Sequence, residues 1–184
     1  YISDATNLRR NLFLFSQIRD LEIPCVLVIN RTDKIKKTGI EIQAFKIEEF
    51  YKCPVVFTSV TKKEGLDTLN NVLTTLPKEC KYTSDFEFKN TDFERLKQLK
   101  SIKNNYWAWL VAHQKSIHNL FYKEDQTEIQ TILNTSPYNS KDLLKEEAVD
   151  RYTKIDHLLD TVIKQVTSDK TISKMCKIIT RSFT

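Results

Sequence analysis

Apolar positions along the chain follow two rhythms. Up to about residue 77, short apolar runs alternate with stretches that repeat every three or four residues, and beyond it only the longer rhythm remains. Residues 1–4 read as the end of a strand. Thr6 or Asn7 can cap a helix whose apolar positions are Leu8, Leu12, Phe15, Ile18 and Leu21. Cys25-Val26-Leu27-Val28-Ile29 is apolar without alternation, as in a strand buried on both faces of a parallel sheet. Ile40, Ala44, Ile47 and Phe50 predict a second helix, Pro54-Val55-Val56-Phe57 a third strand, and Leu66, Leu69, Val72, Leu73 and Leu76 a third helix. This β-α-β-α-β-α order predicts an open parallel sheet with right-handed crossovers. Such sheets bind ligands at the carboxyl ends of their strands, which here are residues 4–7, 30–34 and 58–62.

The later part reads as helices. Phe93, Leu96, Leu99 and Ile102 form one face, and Tyr106, Leu110, His113, Ile117 and Phe121 a second. Ile129, Ile132 and Leu133 form a short third, followed by a loop-like stretch at residues 134–140. The longest stripe runs Leu144, Ala148, Tyr152, Ile155, Leu159, Val162 and Val166, and Ile172, Met175, Ile179 and Phe183 close the chain. A compact helical bundle would bury these stripes. Both glycines precede residue 66, and residues 81–184 contain none. The expected organisation is therefore α/β plus all-α: a partial parallel-sheet domain over residues 1–80 and a helical domain over residues 81–184.

Composition narrows the chemistry. Of 184 residues, two are glycine (Gly39 and Gly65), too few and too far apart for a phosphate-cradling loop or a dinucleotide fingerprint. The longest apolar run is strand-sized, so the chain is expected to be soluble as it stands. Net charge is +5, with +2 on residues 1–80 and +3 on the rest, and the basic residues are scattered. A dedicated nucleic-acid binder would concentrate them, so no nucleic-acid partner is expected. Cys25, Cys53, Cys80 and Cys176 lie far apart with no CxxC spacing, which suggests a reducing cytosolic setting. The chain starts at Tyr1 without a leader pattern, as a piece of a longer polypeptide would. His113 and His118 sit five apart on one predicted helix, a poor spacing for sharing a metal, and His157 has no ligand-spaced companion. Trp107 and Trp109 fall on different helical faces, so they cannot both point into one core.

The most informative tetrapeptide is Asn30-Arg31-Thr32-Asp33, at the end of the central strand. A carboxylate there can accept hydrogen bonds from N1 and N2 of guanine, while the Asn amide can bond the purine and brace neighbouring loops. Adenine presents the wrong pattern, a mismatch that costs a factor of about 10⁴ where a site depends on such bonds. An Asn and an Asp after a strand also suit an ordinary polar turn. The second motif is Thr58-Ser59-Val60, followed by Lys62-Lys63-Glu64-Gly65-Leu66 entering a helix.

Together these two motifs resemble the base-recognising loops of the small G-protein superfamily. The resemblance narrows with Asp4-Ala5-Thr6-Asn7-Leu8, Arg10-Asn11-Leu12, Ile23-Pro24, Gly39-Ile40 and Pro54-Val55-Val56, which look like the G domain of the ferrous iron transport protein B family (FeoB). Glu147-Ala148-Val149-Asp150-Arg151-Tyr152 with Ile155-Asp156 is similar to the Arg-Tyr helix of the helical domain that follows it there. The resemblance implies a partial P-loop GTPase fold in which Asn30 and Asp33 recognise guanine, Arg31 flanks the base, and Thr58, Ser59 and Val60 form the adjoining loop. Arg31 stands where such proteins generally have Lys or Met, and Val60 where Ala is usual.

The same resemblance implies a function. GTP or GDP is the expected nucleotide, touched here through its base alone, and magnesium is expected only in the full-length protein. Phosphate loop and switches would lie before residue 1 and the permease beyond residue 184, so this chain alone should neither hydrolyse GTP nor move iron. It would contribute guanine recognition and coupling to the protein's own membrane permease, at the cytoplasmic face of a bacterial inner membrane, with a homo-oligomer compatible. The alternative is a non-catalytic interaction module derived from a G domain. A translation or ribosome-assembly G protein fits less well, because those lack the Arg-Tyr helix.

Overall fold

The computed structural model describes residues 1–80, 82–87, 91–135 and 140–165. Strand β1 (Ile2–Asp4) leads through a 3-10 turn (Ala5–Asn7) into helix α1 (Leu8–Asp20). Then come β2 (Leu27–Asn30), the short α2 (Thr32–Lys36), β3 (Ile40–Ile42), α3 (Ala44–Tyr51), β4 (Val55–Phe57), a 3-10 turn (Val60–Lys62) and α4 (Leu66–Thr75). Helices α5 (Thr91–Leu96), α6 (Asn105–His113), α7 (Lys123–Thr135) and α8 (Ser140–Val162) are next, and β5 (Ile163–Gln165) ends the described chain.

The expected parallel sheet forms, in the order β1-β2-β4. Ile2 pairs with Val28, and Leu27 pairs with Val55 in turn. Because β2 is central, both its faces are covered. Leu27 and Ile29 bury against Leu8, Leu12 and Phe15 of α1 and Ile47 and Tyr51 of α3. Val26 and Val28, with Val56, pack on the other side against Leu69, Val72 and Leu76 of α4. That two-sided burial is the reason the β2 sequence lacks alternation. Its ladder starts two residues later than expected, at Leu27, leaving Cys25 half-buried just before it.

Three expectations need correction. Ile40 lies on a strand, not a helix: β3 pairs antiparallel with β5, Ile40 opposite Gln165 and Ile42 opposite Ile163, in a separate two-stranded sheet. Only from Ala44 does the helix begin, and Phe50 is exposed. Second, residues 81–184 do not form one helical domain. The described chain divides into residues 1–82 with 148–165, and residues 83–147. The physical cause is the apolar stripe of α8, whose Ile155, Leu158, Leu159 and Val162 are buried in the same core as Leu8, Phe15 and Ile47. Upstream on the stripe, Leu144 is exposed.

Third, no single helix carries both His113 and His118. Helix α6 ends at His113, and a 3-10 helix (Lys115–Leu120) comes after Gln114, so His118 folds back and its Nε2 lies 2.7 Å from the Val111 carbonyl oxygen. The unit of residues 83–147 buries Leu96, Leu99, Ile102, Ala108, Val111, Ala112, Ile129 and Ile132 together. The two tryptophans diverge as their spacing requires: Trp109 stacks on Tyr106, and Trp107 meets Phe121 edge-on. Expected apolar positions Val166, Ile172, Met175, Ile179 and Phe183 lie outside the described residues, as does Cys176. Among the described residues, no helix is long and apolar enough to cross a membrane.

Candidate functional site

The carboxyl ends of β2 and β4 bring the two sequence motifs together. Arg31, at φ 66°, turns the chain through the left-handed region between β2 and α2. That reversal places Asp33 in the first turn of α2, buried, with its Oδ1 accepting a hydrogen bond of 2.9 Å from Ser59 Oγ. The two loops are also sewn together through Thr32. Its backbone N–H and its hydroxyl both donate to the Thr58 carbonyl oxygen, at 3.2 and 3.0 Å.

Asn30 braces the same junction. Its Oδ1 accepts from the Thr58 hydroxyl at 3.2 Å and from the Val60 backbone N–H at 3.3 Å. The second of these is long for an N–H···O bond, so the Val60 donor is weakly held. Engaging Oδ1 keeps the Asn30 amide nitrogen as a donor for something else. The Val60 side chain is exposed, so its two extra methyl groups relative to Ala meet no protein wall.

Electrostatics favour an ionised Asp33. The Ser59 hydroxyl is the main cause of a lowered carboxyl pKa, with Lys34 and Lys62 adding smaller attractions against the opposing effect of desolvation. Those two lysines, with Lys36, Lys37 and Lys63, are exposed, as solvated loop charges would be.

Sequence reasoning missed three supporting residues. Asp4, at the end of β1, pairs with Arg31 Nη1 at 2.7 Å while its other oxygen accepts from Thr6 N–H and Oγ1. The pair joins residues 4–7 to the Asn30 loop and gives Arg31 a fixed direction. Glu64 closes the Ser59 loop through a two-way backbone bridge, Ser59 N–H to Glu64 O and Glu64 N–H to Ser59 O, both at 3.1 Å. Gly65, at φ 77°, comes directly after, and a Cβ there would lie 2.1 Å from the Phe57 carbonyl oxygen. A lone glycine just before a helical stripe was the available signal for that close approach.

A separate concavity of about 490 Å³ beside α2 is lined by Ile35, Gly39, Ile40, Ile42 and Phe57, among others, and of the motif residues includes Thr32 alone. It lacks the Asn30, Asp33, Ser59 and Val60 groups, so the polar chemistry sits at the strand ends instead. Among the described residues no cluster of three His, Cys, Asp or Glu side chains could hold a metal ion.

Comparison with known proteins bears on the fold that carries these loops. The family profile described as ferrous iron transport protein B matches residues 1–73. The chain is 35% identical over 68 residues to the Fe(2+) transporter FeoB of Escherichia coli, covering 37% of this chain and 9% of that protein. It is 29% identical over 127 residues to the Campylobacter jejuni Fe(2+) transporter FeoB, covering 67% of this chain and 21% of that protein. It thus spans a small share of the curated relatives it matches. The cytosolic domain of L. pneumophila FeoB has the same fold, with a TM-score of 0.64 at 24% identity over 89% of this chain and 66% of that one. The cytosolic domain of T. maritima FeoB in its GMPPNP form gives 0.63 at 18% identity, with the same coverage. The family profile thus lies on the segment that carries β1, β2, β4 and both loop motifs, and over that segment the chain is similar to ferrous iron transport protein B.

Proposed function

We propose that this chain supplies the guanine-recognising part of a G domain in a ferrous iron transporter. The observation that carries the reading is the Asp33–Ser59 contact at 2.9 Å, which holds an ionised carboxylate between two loops at the carboxyl ends of adjacent strands. Guanine presents N1–H and N2–H₂ as neighbouring donors, which a carboxylate accepts as a pair. Asn30 Nδ2 then serves the purine N7 edge, and the weakly held Val60 N–H serves O6. Arg31, steered by Asp4, lays its stem along the base plane. Support also comes from relatives whose solved structures include a GDP-bound mutant of the S. thermophilus FeoB G-domain, 22% identical.

The residues present fit the base of GTP or GDP and not its phosphates. Gly39 lies away from the two loops, Gly65 is committed to the close approach that ends the Ser59 loop, and no basic side chain of the site is buried. Phosphate holding, magnesium and hydrolysis are therefore assigned to groups other than the described residues. Coupling to a membrane permease at the cytoplasmic face is carried over from the relatives as part of the same proposal.

The test is a nuclear magnetic resonance titration of the chain with GMP and AMP. GMP should move the Val60 amide and the Asn30 side-chain amide, and AMP should not. Asp33→Asn should reverse the preference toward xanthine monophosphate, because the new amide donates to the xanthine C2 carbonyl while still accepting from N1–H. Equal responses to GMP and AMP, or no gain for xanthine, would refute the assignment.

One observation favours a second reading as an interaction module. Among the described residues no strand pairs the outer edge of β1, where Ile2 is 70% exposed. An open edge of that kind recruits another strand. Light scattering on the purified chain decides: a stable monomer removes the need for a partner.

A further inference from the structure

At the opposite end of the sheet from the base loops, three cysteines converge on one buried guanidinium. Arg19 of α1 is 1% exposed and lies over the Tyr82 ring at 4.4 Å. Its Nε donates to the Tyr51 carbonyl oxygen at 2.9 Å, and its Nη1 to the Ile23 carbonyl oxygen at 3.0 Å. The same Nη1 lies 3.3 Å from Cys25 Sγ and 3.5 Å from Cys80 Sγ. Cys53 is the third member, buried in the same core that Cys25 packs against.

Register explains how residues 28 positions apart meet. Leu27 pairs with Val55 at the start of the parallel ladder, and Cys25 and Cys53 each lie two residues before their strand, so the same register carried back brings them level. Neighbouring strands lie about 4.8 Å apart, within the Cα separations that a disulfide spans. All three thiols are free.

We propose that Cys25 and Cys53 form a peroxide-oxidisable dithiol, with Cys25 as the attacking thiolate, Arg19 as its counter-charge and Cys53 as the resolving thiol. The assignment of roles rests on their surroundings. Cys25 is half-buried, so a small oxidant reaches it, whereas Cys53 is buried. The Cys53 thiol chiefly, and the Arg19 guanidinium after it, lower the Cys25 pKa against the opposing effect of burial. Cys53 is pushed up by the neighbouring Cys25 and by burial, so it keeps its proton until Cys25 has reacted.

The chemistry balances with a hydroperoxide as oxidant. The Cys25 thiolate attacks one peroxide oxygen and forms an S–O bond as the O–O bond breaks, and hydroxide leaves and takes a proton to become water. The Cys53 thiol then loses its proton, attacks the sulfenic sulfur, forms the S–S bond and expels the oxygen as a second water. Two thiols and one hydrogen peroxide give one disulfide and two waters, and an external thiol reverses the change.

The test uses the full chain carrying Cys176→Ser, with hydrogen peroxide as probe and peptide mass spectrometry as readout. A Cys25–Cys53 disulfide with Cys80 still free is the expected product. Cys53→Ser should stop the reaction at a Cys25 sulfenic acid that dimedone traps. The rate should fall far less from pH 8 to pH 6.5 than the about 25-fold expected of a thiol with the ordinary pKa of about 8.5. A Cys25–Cys80 disulfide would overturn the choice of resolving thiol. Loss of all three thiols at one common, steeply pH-dependent rate would overturn the proposal, and circular dichroism of each variant separates either result from misfolding.

Discussion

Gly65→Ala isolates the geometry on which the Ser59 loop depends. The structure imposes two costs on it. The left-handed backbone at φ 77° costs an L-residue with a Cβ about 1–2 kcal/mol. In addition, a Cβ 2.1 Å from the Phe57 carbonyl oxygen meets backbone, which cannot rotate aside as a side chain can. The strand end or the helix start must move, and the two backbone hydrogen bonds between Ser59 and Glu64 lie between them. At about 0.5–1.5 kcal/mol net for each bond, their loss adds about 1–3 kcal/mol. The expected destabilisation is therefore about 2–5 kcal/mol, read as a lower urea midpoint at unchanged slope. Amide resonances of Ser59 and Val60 should move with it, and guanine response should weaken. Lys63→Gly is the companion variant, because Lys63 sits at φ 56° and gains from relief of the same left-handed cost. If Gly65→Ala changes stability by less than about 0.5 kcal/mol and leaves those resonances in place, the close approach does not hold the loop.

Two further outcomes test the ionic framework. Arg151→Met should destabilise by about 3–5 kcal/mol, because the Arg151–Asp20 pair at 2.7 Å is buried on both sides and its loss takes a cationic partner from a buried carboxylate. The double variant Asp20→Leu, Arg151→Met should recover most of that loss in chemical denaturation, and failure to recover would mean that Arg151 acts through other contacts. Ser59→Ala should raise the Asp33 pKa by removing the main cause of its depression, as followed by carboxyl carbon chemical shifts across an acid titration. A carboxyl whose folded pKa lies below its unfolded value stabilises the fold above the unfolded value, and the benefit is lost as pH falls through the folded one. The Ser59→Ala protein should accordingly lose less stability than the parent over that acid range, and an unchanged titration would exclude the hydrogen bond as the cause.

The Arg-Tyr helix motif gains a physical meaning from its contacts. Arg151 reaches Asp20 at the end of α1, and Tyr152 stacks on Phe13 with Arg9 over its ring at 4.2 Å. Asp156, one turn on, takes Arg9 in a two-pronged pair at 2.6 and 2.9 Å. These side chains of α8 clamp one face of α1. The resemblance implied a helical-domain feature, whereas the contacts show these residues holding the carboxyl half of α8 on α1.

Local periodicity by itself determined the parallel sheet, because β2 is buried on both faces, β4 packs beside it with Val56 buried, and their apolar runs say so without reference to anything distant. It also placed α1 and α4, and it put Asn30, Asp33, Thr58, Ser59 and Val60 at strand ends where side chains of two loops converge. Tertiary structure decided the features that no local pattern encodes. Strands β3 and β5 are three residues each, too short for a period, and they exist through a pairing across more than 120 positions. The carboxyl half of α8 shows the same stripe whichever core it joins, and only packing assigned it to the α1 and α3 side of the sheet. Cys25, Cys53 and Cys80 have no ligand-like spacing in the sequence. They meet because parallel register and one buried guanidinium bring them together, and register is a property of two strands, not of one.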